Sequence, residues 1–324
     1  MRAATIIQCG QPPVVAERPA VPPADGMVTV TVTAAPITPL DVLCATGTSY
    51  FGAPAVPYVP GVQGVGTLDD GTAVWFPTDA GMRPGDGSMA EQVTVPAATV
   101  VHLPDGADHR LIAALGLSAV AAWQALTWRG ELRPGEQVII LGGGGIVGQA
   151  AIQLARLAGA RRVIAACRSE AARERAARLG ADAVVPLHDT DDVVTLARRL
   201  HDAADGPVDL VLDPLFGIPA AAALRTLRRG GRLVNLGSAA GEVAPLDSAT
   251  LRSGSLRVLG YTNNELSAAE KGATMRYLAD HAAAGRLVVD YAPVPLADIG
   301  AAWTAQAEGR AQRRTVIVPT RLGA

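Results

Sequence analysis

Gly143, Gly145 and Gly148 stand at the spacing G-x-G-x-x-G inside the stretch LGGGGIVG, Leu141 to Gly148. Four glycines in a row cost backbone order unless something uses their bareness. A pyrophosphate can use it. With no side chains in the way, backbone N–H groups reach the anion, and a helix starting there adds its own free N–H groups and its dipole. On that reading Gly143 permits a tight turn, Gly145 lets the backbone approach the phosphates, and Gly148 lets helix and strand pack closely. The competing reading is a glycine-rich connector between domains.

The flanking elements decide between the two. QVIIL precedes the run as a short apolar strand. After it, Val147, Ala150, Ala151, Leu154, Ala155 and Ala158 fall at i, i+3, i+4, i+7, i+8 and i+11, one continuous apolar helix face over Ile146 to Ala158. Strands and helices then alternate: RRVIAACR, a helix over Glu170 to Leu179, DAVVPL, a helix from about Asp191 to His201, VDLVLDP, a helix near Ala220 to Leu227, then GGRLVNLG and LRVLGY. Apolar strands separated by helices predict a parallel sheet covered on both faces, a doubly wound nucleotide-binding domain. Before residue 110 the chain is rich in Pro, Val, Thr and Gly, and MVTVTVTAAPI alternates with period two. GTAVWFP and AEQVTVPAATVVHLP are further short strands, so this part reads as a small β-rich domain or barrel. The segment LIAALGLSAVAAWQALTW is helical, and after it and the α/β series MRYLADHAAAGRL and the final strand RRTVIVP return to mixed texture, as a tail that rejoins the first domain.

The end of the second strand of the α/β series selects the nicotinamide cofactor. Twenty positions past Gly148 stands Arg168, where a carboxylate would bind the ribose 2′-hydroxyl of NAD. An arginine there pairs with a 2′-phosphate, and Ser169 adds a hydroxyl donor, which favours NADP(H). Glu170 follows as a first-turn helix residue, and Arg173 is placed to assist. The plainer alternative for Arg168 is a solvated strand-end arginine.

Composition narrows the class. The chain has 324 residues, 49% hydrophobic and 18% charged, with a formal net charge of −2. No basic excess attracts a phosphodiester backbone, so no nucleic-acid partner is expected. Lys271 is the only lysine, which leaves a Schiff-base mechanism one candidate. Cys9, Cys44 and Cys167 are too few and too scattered for a disulfide framework. No apolar run reads as a membrane span, and the N-terminus lacks the apolar core of a signal peptide. The expectation is a cytoplasmic protein with no membrane partner.

The segments TPLDVLCATG, VPYVPGVQGVG, GSMAEQVTVPA, GEQVIILGGGGIVGQAAIQLARLAGA, RLGADAVV, DLVLDP and GGRLVNLG occur in an order and spacing found in one family. Over nearly its whole length the chain resembles the medium-chain dehydrogenase/reductase superfamily, in its zinc-independent quinone oxidoreductase-like, enoyl reductase branch. The resemblance implies an α/β fold: a GroES-like β-rich catalytic domain of residues 1–118 with 265–324, and a Rossmann NADP(H)-binding domain of residues 119–264. It implies a cleft between them for the nicotinamide, and a homodimer joined through the last Rossmann strand, LRVLGY. Carried over by motif, Gly143, Gly145, Ile146, Val147 and Gly148 surround the pyrophosphate. Arg168 and Ser169 lie on the adenosine side. Asp213 to Leu215 and Leu236, Gly237 and Ser238 lie at strand ends beside the cofactor. Asp213 equally fits a cap on the next turn.

The zinc-dependent branch carries Cys where this chain has Thr38 and a His-Glu pair where it has Val62-Gln63. Neither Thr38 nor Val62 supplies the N, S or carboxylate ligands that zinc takes, and three cysteines cannot build a four-cysteine structural site. No metal is expected. Without a Lewis acid the fitting chemistry is reduction of a conjugated carbonyl, with hydride going to the β-carbon and hydrogen-bond donors stabilising the enolate oxygen. The substrate is then a small molecule: an enone, a quinone or an enoyl thioester. The loop ATGTSYFGAPAVPY borders the nicotinamide in this family, so Tyr50 is the catalytic candidate, as proton donor or as aromatic wall, while Tyr58 packs under the loop. Thr38, Tyr50 and Asn263 are the substrate-pocket candidates; Asn263, like Asn264, equally fits a turn. Quinone reductases usually carry Asn at Thr38 and Thr at Ala121. Those departures keep two other readings open: an NADPH-binding protein of the same fold without turnover, and an alcohol dehydrogenase.

Overall fold

The structure, a computed structural model, describes residues 1–319; residues 320–324, expected to close the catalytic domain, lie outside the described residues. The chain divides into two compact units, one formed by residues 1–116 with the chain from Ser267 onward, the other by Leu117–Leu266. In chain order the strands and helices are β1 (Arg2–Thr5), β2 (Val14–Glu17), β3 (Met27–Pro36), α1 (Pro39–Thr46), β4 (Gln63–Thr67), β5 (Ala73–Pro77), β6 (Gln92–Pro96), β7 (Val101–His102) and α2 (His109–Gln124). There follow β8 (Gln137–Leu141), α3 (Ile146–Leu157), β9 (Arg162–Cys167), α4 (Glu170–Arg178), β10 (Ala183–Pro186), α5 (Val193–Ala203), β11 (Val208–Asp213), α6 (Gly217–Leu224), β12 (Leu227–Asn235), α7 (Ser248–Gly254) and β13 (Arg257–Gly260). The tail adds α8 (Ala268–Ala283), β14 (Tyr291–Pro295), α9 (Ile299–Ala307) and β15 (Arg314–Val318).

In the first unit a seven-stranded sheet runs β14-β15-β3-β4-β5-β7, with β6 also paired to β3. The period-two pattern of MVTVTVTAAP buries Val30, Val32 and Ala34 on one face, as alternation requires. The tail rejoins this sheet through β15, whose Val316 and Ile317 pair antiparallel with Pro36 and Ala35. Helix α1 is fixed at both ends. Thr38 accepts from the Asp41 backbone N–H, the Asp41 side chain accepts from the Thr38 backbone N–H, Pro39 fills the first turn, and Gly47 closes the helix in the left-handed region at φ 77°.

Beneath that cap lies a buried charge pair. Asp41 accepts from Thr38 N (2.8 Å), Thr38 Oγ1 (2.6 Å) and Val62 N (2.9 Å). Burial pushes its carboxyl up, against these donors and the charge of Arg314. Arg314, equally buried, donates through Nη1 to the Ile37 carbonyl at 2.8 Å, and desolvation pulls it down to about 10.

Helix α2 and the π-helical turn Ala125–Arg129 contain an apolar stretch, His109–Arg129, long enough by length and composition to cross a membrane. The reading that no apolar run reaches that length is corrected on this point. Of its most apolar window 61% is buried inside the protein, and it is interrupted at Gly116, whose φ of 30° and ψ of −132° are not helical. A Cβ at Gly116 would lie 2.0 Å from Gln63 Oε1. Gln63 is itself held there, accepting from Trp75 Nε1 at 3.0 Å and donating to the Ala113 carbonyl.

The second unit is one parallel six-stranded sheet in the order β10-β9-β8-β11-β12-β13. Counted from β8 this is the doubly wound order 3-2-1-4-5-6, which reverses between β8 and β11. All five residues of β8 are buried, as a strand covered on both faces demands. Its Ile139 and Leu141 join Ile164, Leu196, Leu200, Val211 and Leu233 in one core. Each such side chain contributes about 1.5–3 kcal/mol by leaving water. Two element bounds shift from the sequence reading: α6 starts at Gly217 rather than near Ala220, and Leu227 already belongs to β12. Helix α8 starts seven residues before MRYLADHAAAGRL, because Ser267 and Glu270 form a capping box.

Replacing Arg314 by Leu leaves Asp41 buried without its counter-charge, and should cost about 3–5 kcal/mol in urea unfolding. In that variant the folded pKa of Asp41 rises further above its unfolded value. The deficit is therefore smallest below about pH 4 and grows as pH rises through the raised folded pKa. Adding Asp41→Asn should recover part of it.

Candidate functional site

The glycine run joins β8 to α3, and each glycine meets a different constraint. Gly142 takes the left-handed conformation (φ 65°) that makes the tight turn. The motif spacing assigns that role to Gly143, which instead sits in tight packing: a Cβ there would lie 3.0 Å from Cys167 Sγ and 3.1 Å from Ala165 Cβ. A Cβ on Gly144 would lie 2.7 Å from Ala172 Cβ, and one on Gly148 would lie 2.3 Å from the Gly142 carbonyl oxygen. Gly145 differs. Its Cβ position meets nothing closer than the Gly142 oxygen at 3.6 Å, so the fold itself leaves room for a side chain there. The bareness of Gly145 is therefore not imposed by packing within the chain.

Gly145 is the N-cap of α3, at φ −77° and ψ 165°, and no side chain caps the helix. The first-turn N–H groups, those of Ile146 and Val147 included, have no intrahelical acceptor. They make a local site for an anion, strengthened by the helix dipole.

Two neighbouring strand ends pack on this loop at the carboxyl edge of the parallel sheet, and a third packs beside them. The end of β9 touches it through Cys167. Arg168 follows, exposed, and its guanidinium has no acidic partner among the described residues; its carbonyl accepts from Arg173 Nη1 at 2.8 Å. Ser169 caps α4 by accepting from Ala172 N at 3.2 Å, so one side of its hydroxyl is used by the fold. The turn after β11 touches the loop through Pro214 and Leu215, 3.2 and 3.1 Å from the Cβ position of Gly142. The turn after β12 packs on β11's turn in its own right: a Cβ on Gly237 would come 2.9 Å from the Pro214 oxygen.

Asp213 builds the β11 turn. Its buried carboxylate accepts from Leu215 N (3.0 Å), Phe216 N (2.8 Å) and Asn235 Nδ2 (3.0 Å). Burial pushes its pKa up despite these donors. Of its two sequence readings, the cap on the next turn is the one these bonds describe. They hold Phe216 at φ 57° and ψ −155°, a region costly to any side chain by about 1–3 kcal/mol. Leu236 N donates to the Asp213 carbonyl (2.9 Å), and Ser238 donates to Glu242 Oε1 (2.5 Å). Periodicity and spacing carry no signal for the strain at Phe216, nor for Gln149, a polar residue 2% exposed that donates to the Gly144 carbonyl at 2.9 Å.

The substrate-side candidates are not brought together in this way. Thr38 is buried, and its hydroxyl is spent on Asp41. Tyr50 is 77% exposed, its ring tilted against that of Phe51 with centroids 4.2 Å apart. Asn263 lies in a 3-10 turn, accepting from the Tyr261 hydroxyl (2.7 Å) and donating to the Leu117 carbonyl (3.0 Å). Tyr58 is buried, and its hydroxyl has no hydrogen-bond partner among the described residues. Zinc does not fit at Thr38 and Val62: the one hydroxyl is engaged with Asp41 and the valine has no ligand atom. Among the described residues no three His, Cys, Asp or Glu side chains cluster as metal ligands.

Comparison with known proteins gives the lineage. Residues 147–279 match the family model described as zinc-binding dehydrogenase. A phenolphthiocerol/phthiocerol polyketide synthase polypeptide of Mycobacterium tuberculosis is 30% identical over 80% of this chain, which spans only 12% of that synthase. Human quinone oxidoreductase is 27% identical over 74% of this chain and 73% of its own length. Among solved structures, the quinone oxidoreductase from Thermus thermophilus, crystallised also as its complex with NADPH, superposes with a TM-score of 0.84 at 27% identity, covering 98% of this chain and 100% of that one. With the doubly wound sheet, the glycine loop and these likenesses together, the chain belongs to the medium-chain dehydrogenase/reductase superfamily, in its quinone oxidoreductase-like branch.

Proposed function

We propose that this chain is an NADPH-dependent, zinc-independent reductase of α,β-unsaturated carbonyl compounds: enones, quinones or enoyl thioesters. The observation that carries the reading is Gly145. It is bare where the fold does not need it to be, at the uncapped start of α3. A dinucleotide pyrophosphate fits there, held by N–H groups of Ile146 and Val147. Arg168, exposed and without an acidic partner among the described residues, is the group for the 2′-phosphate, with Arg173 beside it. NADPH, when bound, supplies hydride to the substrate's β-carbon. What the chain adds is orientation, hydrogen-bond donors for the enolate oxygen, and a proton at the α-carbon. Tyr50 is the side chain we assign to the substrate side, as wall or donor. We take the Leu117–Leu266 unit as the cofactor domain and the other as the catalytic domain, with the tail completing it.

A second reading keeps the cofactor and drops the turnover. It is favoured by Thr38, whose hydroxyl is locked into a helix cap, and by the exposure of Tyr50. One assay separates the two. Purified protein should oxidise NADPH in the presence of an enone or quinone panel, with or without EDTA. Tight NADPH binding without oxidation by any acceptor would establish the second reading instead. Arg168→Ala should weaken NADPH roughly 10- to 100-fold, the scale of a charged hydrogen bond, and leave NADH unchanged in the same titration.

We also propose a homodimer through the edge of β13, which among the described residues pairs only with β12 and leaves Val258 39% exposed. Light scattering should give twice the chain mass for the wild type and a single chain for Val258→Lys.

A further inference from the structure

We infer that Gln149 is a positioning residue for the dinucleotide's pyrophosphate: its side-chain amide pins the Gly144 carbonyl inward, so that the anion meets N–H groups and no carbonyl oxygen. The inference rests on the cofactor reading above.

Gln149 is the fourth residue of α3, and long helical side chains lean back toward the N-terminus. Its Nε2 thereby reaches the Gly144 carbonyl at 2.9 Å. The bond must have this polarity, because a carbonyl only accepts. Since Gln149 is 2% exposed, the carbonyl it holds is turned into the protein, away from the solvent side where an anion sits. The next N–H, that of Gly145, donates to the Gly142 carbonyl at 3.0 Å. The peptide between Gly144 and Gly145 is therefore fixed at both ends.

That peptide sets the direction in which α3 begins. Gly145 stands extended and gives the first intrahelical bond, accepting from Gln149 N at 2.8 Å. Gln149 thus closes the loop twice, once through its backbone and once through its side chain. Ala172 blocks the loop from the other side, 2.7 Å from where Gly144 would carry a Cβ. Without the amide, the half-buried Gly144 carbonyl would lose its donor, an unfavourable state. Turning that peptide outward relieves it, and puts an oxygen lone pair at the mouth of the anion site. Neither Gly144 nor Gly145 carries a side chain to oppose such a turn once the amide is gone.

The pyrophosphate is common to NADPH and NADH, whereas the 2′-phosphate belongs to NADPH alone. A residue acting on the glycine loop must weaken both. In isothermal titration, Gln149→Met, which keeps the volume and removes the donor, should bind NADPH and NADH each about tenfold more weakly than wild type. The ligand-free melting temperature should fall by only a few degrees. Gln149→Leu serves as the second apolar variant should the first fold poorly. Gln149→Glu adds a pH signature. Its neutral acid can donate to the Gly144 carbonyl and its carboxylate cannot, so NAD+ binding by this variant should fall as pH rises from about 5 to 8 while wild type stays flat. Unchanged affinity for both cofactors in the Met and Leu variants would overturn the inference, as would a loss confined to NADPH. Wild-type protein that binds neither cofactor would overturn the cofactor reading, and the inference with it.

Discussion

The second unit is organised around one close approach: the start of α3 against the turn that ends β8. Gly148 and Gly142 are so near that a methyl group on Gly148 would lie 2.3 Å from the Gly142 oxygen. Bringing a helix N-terminus that close to a strand end is what leaves its first N–H groups facing the sheet's carboxyl edge. The other strand ends then add to the same edge, β9 through Cys167 and β11 through Pro214 and Leu215. The apolar core beneath keeps these strands in register. A single steric condition thus fixes where the first turn of α3 stands against the strand ends.

Much of this was legible in the sequence, because the parallel sheet and its helices leave strong periodic signals. The six strands, the order of the helices and the glycine spacing follow from apolar runs and turn residues alone. What pattern does not encode is which atom each glycine spares. The spacing puts the turn at Gly143, but Gly142 makes it, since φ is settled by the path from Leu141 into α3. The spacing G-x-G-x-x-G is preserved, and only the turn role moves, by one residue, to Gly142. The missed residue, Gln149, sits beside the apolar face of α3 and looks like an ordinary polar neighbour in a helical period. Only its bond to a carbonyl five residues back reveals it.

The substrate side is less legible for a physical reason. Loops are selected by what they touch, and periodicity says nothing about them. Thr38 is a pocket candidate by its alignment with the family, yet it holds the start of α1 in place over the buried Asp41. Asn263 similarly anchors its own turn. Both positions show how a polar residue can be claimed by the backbone first. Tyr50 remains exposed beyond the core of its unit, the kind of position where a sequence departs from its relatives at little cost in stability.

The break in α2 binds two distant parts of the chain to each other's history. Gly116 has no room for a side chain because Gln63 Oε1 occupies the place, and Gln63 is tied to Trp75 and to the Ala113 carbonyl. The two positions cannot drift independently. Shortening residue 63 would strand the indole N–H of Trp75 and still not admit alanine at 116, where φ 30° and ψ −132° strain any side chain. Neither substitution opens the way to the other, and a pair so far apart in the chain should travel through evolution as a single character.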